Sequence, residues 1–140
     1  MISYFAEDIK VPKFPKREIS AWIKQVAELQ NRKVGDISYI FCSDEKILEV
    51  NKQYLQHDYY TDIITFDDSK EHTINGDIFI SLDTVKSNAE ELKIPFDKEL
   101  RRILIHGILH LCGQKDKAPK DKAEMTRKED EALALLIASN

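Results

Sequence analysis

The stretch LRRILIHGILHLCGQKD, Leu100 to Asp116, decides how this chain is read. His106 and His110 are four residues apart, so on a helix their rings leave the same face one turn apart. On a wheel of 100° per residue, Leu100, Ile103, Leu104, Gly107 and Leu111 form one apolar stripe with Ile108 at its edge. Ile105 and Leu109 lie roughly opposite, so the helix is apolar on two sides and is expected to be buried. Its one long polar strip contains Glu99, Arg102, His106 and His110, while Lys98 and Arg101 break the pattern only in the first turns. Gly107 invites close packing of another backbone. Gly113 is a natural helix stop, and beyond it Asp116 can fold back toward the imidazoles.

Two imidazoles and one carboxylate suit a divalent metal, zinc above all, with a fourth position left open for water. An open position marks a catalytic site, because water on zinc ionises near pH ~7. The HExxH metalloproteases carry a glutamate next to the first histidine as general base. Here that residue is Gly107, which disfavours peptide hydrolysis by that route.

Outward from this helix the chain alternates elements. Ile2 to Phe5 reads as a short strand, and Pro12 and Pro15 punctuate a loop before a helix from Lys16 to Leu29 carrying Ile19, Trp22, Ile23 and Val26 at helical spacing. Asp36 to Cys42 reads as a buried strand. Ser43 or Asp44 caps a helix with Ile47, Leu48, Asn51, Tyr54 and Leu55 on one side. After a loop, His57 to Asp62, come strands Ile63 to Phe66 and Gly76 to Ser81, joined by the polar run Asp67 to Asn75 and expected to be antiparallel neighbours. Leu82 to Leu92 is a helix closed off by Pro95, and Asp97 is the expected cap of the central helix. Pro119 opens a terminal helix with Met125, Ala132, Leu133, Leu136 and Ile137 inward. The expected fold is α+β: one domain over residues 1–140, a small mixed sheet packed by helices around the central histidine-bearing helix, zincin-like in arrangement.

Composition fits that size of core: 140 residues, 42% apolar and 33% charged. No apolar run approaches the roughly 18–20 residues of a membrane span. MISYFAEDIK lacks a basic start and apolar core, so no secretion signal is expected, and Cys42 and Cys112 are expected to be free thiols in a reducing cytoplasm. A net charge of −4 argues against coating nucleic acid by global charge. Local clusters remain, at Lys10, Lys13, Lys16 and Arg17 and at Lys115, Lys117, Lys120 and Lys122; the first reads as a solvated face, and the second adjoins the histidines.

HGILHLCG, His106 to Gly113, resembles the signature H-G-x-L-H-L-x-G-Y-D-H of the YbeY family of metal-dependent endoribonucleases and rRNA maturation factors. Asn51, Tyr54, Asp58, Thr61, Asp62 and Phe66 resemble a second family stretch, and Gly76, Asp77, Ile78, Ile80 and Ser81 its G-D-I-x-I-S strand. The resemblance implies a single-strand endoribonuclease that matures the 3′ end of 16S rRNA and takes part in ribosome quality control. Its implied partners are rRNA and the ribosome or ribosomal proteins, with no membrane and no DNA expected. It carries the metal site onto His106, His110 and Asp116, with one Zn2+ per chain or another divalent ion such as Mn2+.

Three departures stand out. Asp116 replaces the family's third histidine, Gln114-Lys115 replaces Tyr-Asp, and Leu55 replaces an arginine after the tyrosine. A carboxylate in place of a neutral imidazole favours harder metals such as manganese. The lost arginine removes a phosphate clamp, a role for which Lys115 and Lys117 are candidates, with His57 as a further substrate contact. Asp62 and Asp77 are candidates to orient an imidazole from behind, and turn capping explains them equally well. His72 is expected in solvent, and Cys112 in packing. Two other classes stay open: a non-catalytic ribosome-assembly factor with a structural metal, and a metallohydrolase of another substrate.

Overall fold

Strand pairing decides where the central helix can lie. The computed structural model describes residues 1–57 and 61–138, with side chains through residue 136. Asp58, and the inward placement expected of Ile137, fall outside the described residues. In chain order the elements are β1 (Ile2–Ala6), α1 (Lys16–Leu29), β2 (Lys33–Cys42), α2 (Asp44–Leu55), β3 (Ile63–Asp67), β4 (Thr73–Ser81), α3 (Leu82–Leu92), α4 (Phe96–Leu111) and α5 (Pro119–Ala138). The sheet order is β1-β2-β4-β3. β1 with β2 and β2 with β4 run parallel, and β3 is the antiparallel edge. Parallel neighbours require a crossover, which α1 supplies first and α2 with β3 supplies second. This is the small mixed sheet and α+β class that the sequence predicts.

The pleat divides the apolar residues between two layers. Tyr39 and Phe41 of β2 and Ile78 and Ile80 of β4 join the main core with Ile19, Trp22 and Ile23 of α1, Ile103 and Leu104 of α4, and Met125 and Ala132 of α5. On the other face, Ile64, Phe66 and Phe79 pack with Ile47 and Val50 of α2. The helix α4 therefore lies on the sheet with α1 and α5 beside it, and α2 covers the opposite face near β3.

Several expectations need correction. β2 begins at Lys33 and β4 at Thr73, three residues earlier than the sequence patterns indicate, because Lys33 and Val34 pair with Thr73 and Ile74 before a register shift ahead of Ile37. Tyr54 and Leu55 are exposed, and the buried face of α2 is Ile47, Val50 and Asn51. Asp97 does not cap α4. Pro95 occupies that position without a side-chain bond, and Asp97 sits in the first turn where its charge favours the helix dipole. The helix α3 closes on Lys93 in the left-handed conformation before Pro95 is reached. Ser43, as expected, accepts a bond from the Lys46 amide and caps α2.

Candidate metal centre

Gly107 lets α4 lie low on the sheet. A β-carbon there would stand 3.1 Å from Cδ1 of Ile78 and 3.2 Å from Cδ1 of Ile63, so the close neighbours are sheet side chains and not the backbone expected. With the apolar faces so committed, the polar strip of α4 turns toward the β3 edge and α5. The end of α4 is a Schellman turn: the Gly113 amide donates to the His110 carbonyl and the Gln114 amide to that of Leu109, both at 3.0 Å. Gly113 takes φ +100°, and the reversal returns Asp116 to the histidines.

The result is an open cleft of about 410 Å³ between α2, β3, the end of α4 and the turn after it. His106, His110, Asp116, His57 and Lys117 all line it, with Asn51, Leu55, Asp62 and the β3 residues Ile63 to Thr65. Nε2 of His106 is 3.2 Å from Oδ2 of Asp116. The His106 and His110 rings are nearly parallel, 7° apart in plane with centroids 6.4 Å apart. Among the described residues, no three histidine, cysteine or carboxylate groups already close on one point. The donor chemistry nevertheless fits a divalent ion. Two ligands at 2.0–2.1 Å on a tetrahedral centre are separated by about 3.3 Å, close to the His106–Asp116 distance.

Electrostatics point the same way. Burial acts to lower the His106 pKa, but it is outweighed by the hydrogen bond to Glu129 and the charges of Glu129, Asp116 and Asp62, so the net shift is upward. The causes that raise it are carboxylates, groups that also suit a bound cation. Burial pushes the Asp62 carboxyl up, opposed by the charges of His106 and Arg102.

Not every candidate arrives. Lys115 is exposed and does not line the cleft, whereas Asp116 and Lys117 do. Asp77 is exposed and lines a separate depression with Asp36 and Asp67. Its β4 position pairs with Phe66, well along the strand from the Ile80–Ile63 end. His72 is exposed, as are the lysines of both basic clusters. Cys42 is buried, and both cysteines are free thiols.

The principal omission of the sequence reading is Glu129. It lies on α5, buried, with Oε2 2.6 Å from Nδ1 of His106. A signal was present: Glu129 stands one turn from Met125 and from Ala132 and Leu133, in the middle of the inward apolar stripe. A carboxylate there is seldom fully buried unless paired.

A family model described as Endoribonuclease YbeY matches residues 2–136. The chain belongs to this family. Proteins named Endoribonuclease YbeY are 61% identical in Parabacteroides distasonis, covering 96% of this chain and 95% of that protein. In Phocaeicola vulgatus the identity is 60%, covering 97% and 99%. The solution structure of TM1509 from Thermotoga maritima superposes with a TM-score of 0.70 at 28% identity, covering 99% of this chain and 91% of that one. The family resemblance read from the HGILHLCG stretch is thus established over nearly the whole chain.

Proposed function

We propose that this chain is a metal-dependent, single-strand-specific endoribonuclease acting in rRNA maturation, with a divalent ion held by His106, His110 and Asp116. The observation that carries the reading is the approach of Asp116 to Nε2 of His106 across the turn after α4, in a cleft large enough for a nucleotide. The names of the relatives support the endoribonuclease activity.

When bound, the ion supplies Lewis-acid polarisation of a phosphate and activation of water. The chain's own groups do the rest. His110 is exposed at the end of α4, so its side chain is free to turn toward the same point as His106. Lys117, on the cleft wall, is the cation that meets a phosphate, since Leu55 occupies the place of the family's arginine and Lys115 does not line the cleft. Asp62, its carboxyl shifted up by burial, lines the same cleft. His57 at the rim contacts the RNA. No helix among the described residues is long and apolar enough to cross a membrane, and action in the cytoplasm on rRNA or the ribosome belongs to the same proposal.

The test compares purified wild type, His106→Ala and Asp116→Ala for metal content by elemental analysis and for cleavage of single-stranded against duplex RNA. Both variants are expected to lose metal and cleavage together. Full metal-dependent cleavage by His106→Ala would overturn the assignment. Binding to ribosomes without cleavage in a single-turnover assay would move the protein to the assembly-factor class.

A further inference from the structure

Behind the cleft, α4 and α5 bury two carboxylates against one guanidinium. Glu99 is 0% exposed and Glu129 is 4% exposed. Arg102 grips Glu99 with two bonds, Nη2 to Oε2 at 2.6 Å and Nε to Oε1 at 2.7 Å. Its Nη1 reaches both oxygens of Glu129, at 3.3 and 3.4 Å. Apolar side chains of similar volume would pack at least as well as such a set, because desolvating charges is expensive. One guanidinium for two carboxylates also leaves a unit of negative charge unmatched. Besides Arg102, Glu129 meets Nδ1 of His106, 2.6 Å from its Oε2.

We propose that Glu129 is a positioning residue: it accepts the Nδ1 proton of His106, fixing the ring's tautomer and orientation so that Nε2 presents its lone pair to the cleft. With Glu129 ionised, the 2.6 Å contact is a bond donated by Nδ1. A neutral ring with its proton there has Nε2 free, and Nε2 is the nitrogen 3.2 Å from Asp116. Carboxylate–imidazole pairs of this kind commonly hold metal-ligating histidines and raise their basicity. Glu99 acts one step further back: its two-point grip holds Arg102, and Arg102 holds Glu129. The inference rests on the reading of His106 as a cation ligand and adds the device that makes it one.

The experiment has two readouts besides activity. In metal-free protein with 15N-labelled imidazoles at alkaline pH, long-range proton–nitrogen spectra report the His106 tautomer. Zn2+ affinity is then measured by competition with a chromophoric chelator. Wild type is expected to show the Nδ1-protonated form. Glu129→Leu is expected to lose that tautomer preference and to bind Zn2+ about 10–100-fold more weakly. Glu129→Gln, which keeps an acceptor oxygen without the charge, falls between them and serves if the leucine variant does not fold. Leu133→Ala, on the same helix and packed against the core, is expected to lower thermal stability while leaving tautomer and affinity as in wild type. Wild-type tautomer and affinity in Glu129→Leu or Glu129→Gln would overturn the inference, and so would a loss in Leu133→Ala equal to that of the glutamate variants. Failure of wild type itself to bind Zn2+ would instead sink the metal-site reading, with the tautomer spectra still deciding the Glu129–His106 contact.

Discussion

Among the described residues, His106 has carboxylate and imidazole neighbours whose origins in the chain differ widely, and that difference governs what a sequence can show. His110 is one turn away and Asp116 one tight turn beyond, so spacing alone places them near it. Glu129 is 23 residues distant on another helix and reaches Nδ1 only after packing. Asp62 arrives from the β3 end of the sheet. The cysteines show burial outweighing their polar neighbours. Burial is the main cause that pushes the Cys42 thiol up to about 12 and the Cys112 thiol up to about 11. Because thiolate is the reactive form, alkylation by iodoacetamide at pH ~8 is expected to be at least ~100-fold slower in native than in unfolded protein for both residues, as followed by mass spectrometry. Native-state labelling of Cys42 at the rate of an unfolded thiol would contradict its burial.

At the scale of elements, the two glycines of α4 and its turn are required for different reasons, and stability measurements can separate them. Gly107→Ala gains about 1 kcal/mol of helix propensity. It also presses a methyl against Ile63 and the fully buried Ile78, an overpacking cost of about 1–3 kcal/mol. A net loss of roughly 1 kcal/mol is expected in urea denaturation. Gly113 has open space around it, with Arg32 Nη2 the nearest atom at 3.9 Å, so its cost is in the backbone. Gly113→Ala is expected to lose roughly 1 kcal/mol or more from the positive φ alone. If the turn shifts to relieve that strain, Asp116 moves with it and metal affinity falls too; Gly107→Ala should leave affinity nearer wild type. The helical segments α1 and α3 were legible to the residue because the apolar residues of each recur at helical spacing, although α3 stops at Lys93 and not at Pro95. The strand starts were not, because Lys33 and Val34 gain their pairing from Thr73 and Ile74, forty residues away.

Across the whole molecule, two buried hydrogen bonds tie layers together. The Tyr39 hydroxyl donates to the Leu104 carbonyl at 2.7 Å and fastens the sheet to α4. The Trp22 indole donates to the Ala132 carbonyl at 2.7 Å and fastens α1 to α5, one turn from Glu129. Tyr39→Phe keeps the ring and its stacking and removes only the bond, so a loss of about 1 kcal/mol is expected in the denaturation midpoint, with RNA cleavage unchanged. A wild-type midpoint would show that the Leu104 carbonyl, already bonded within its helix, does not need Tyr39.

The sequence by itself determined the helical segments α1 and α3, the short polar connection that puts β3 beside β4, and the turn at Gly113 that brings Asp116 back beside His106. All of these depend on residues close in the chain, where backbone geometry dictates the neighbour. Only the tertiary structure decided that Asp62 and Lys117 share the cleft while Asp77 and Lys115 do not, and that Glu129 stands behind His106. Those choices follow from how α4 and α5 pack on the sheet, and a buried carboxylate finds its partner only when distant faces meet.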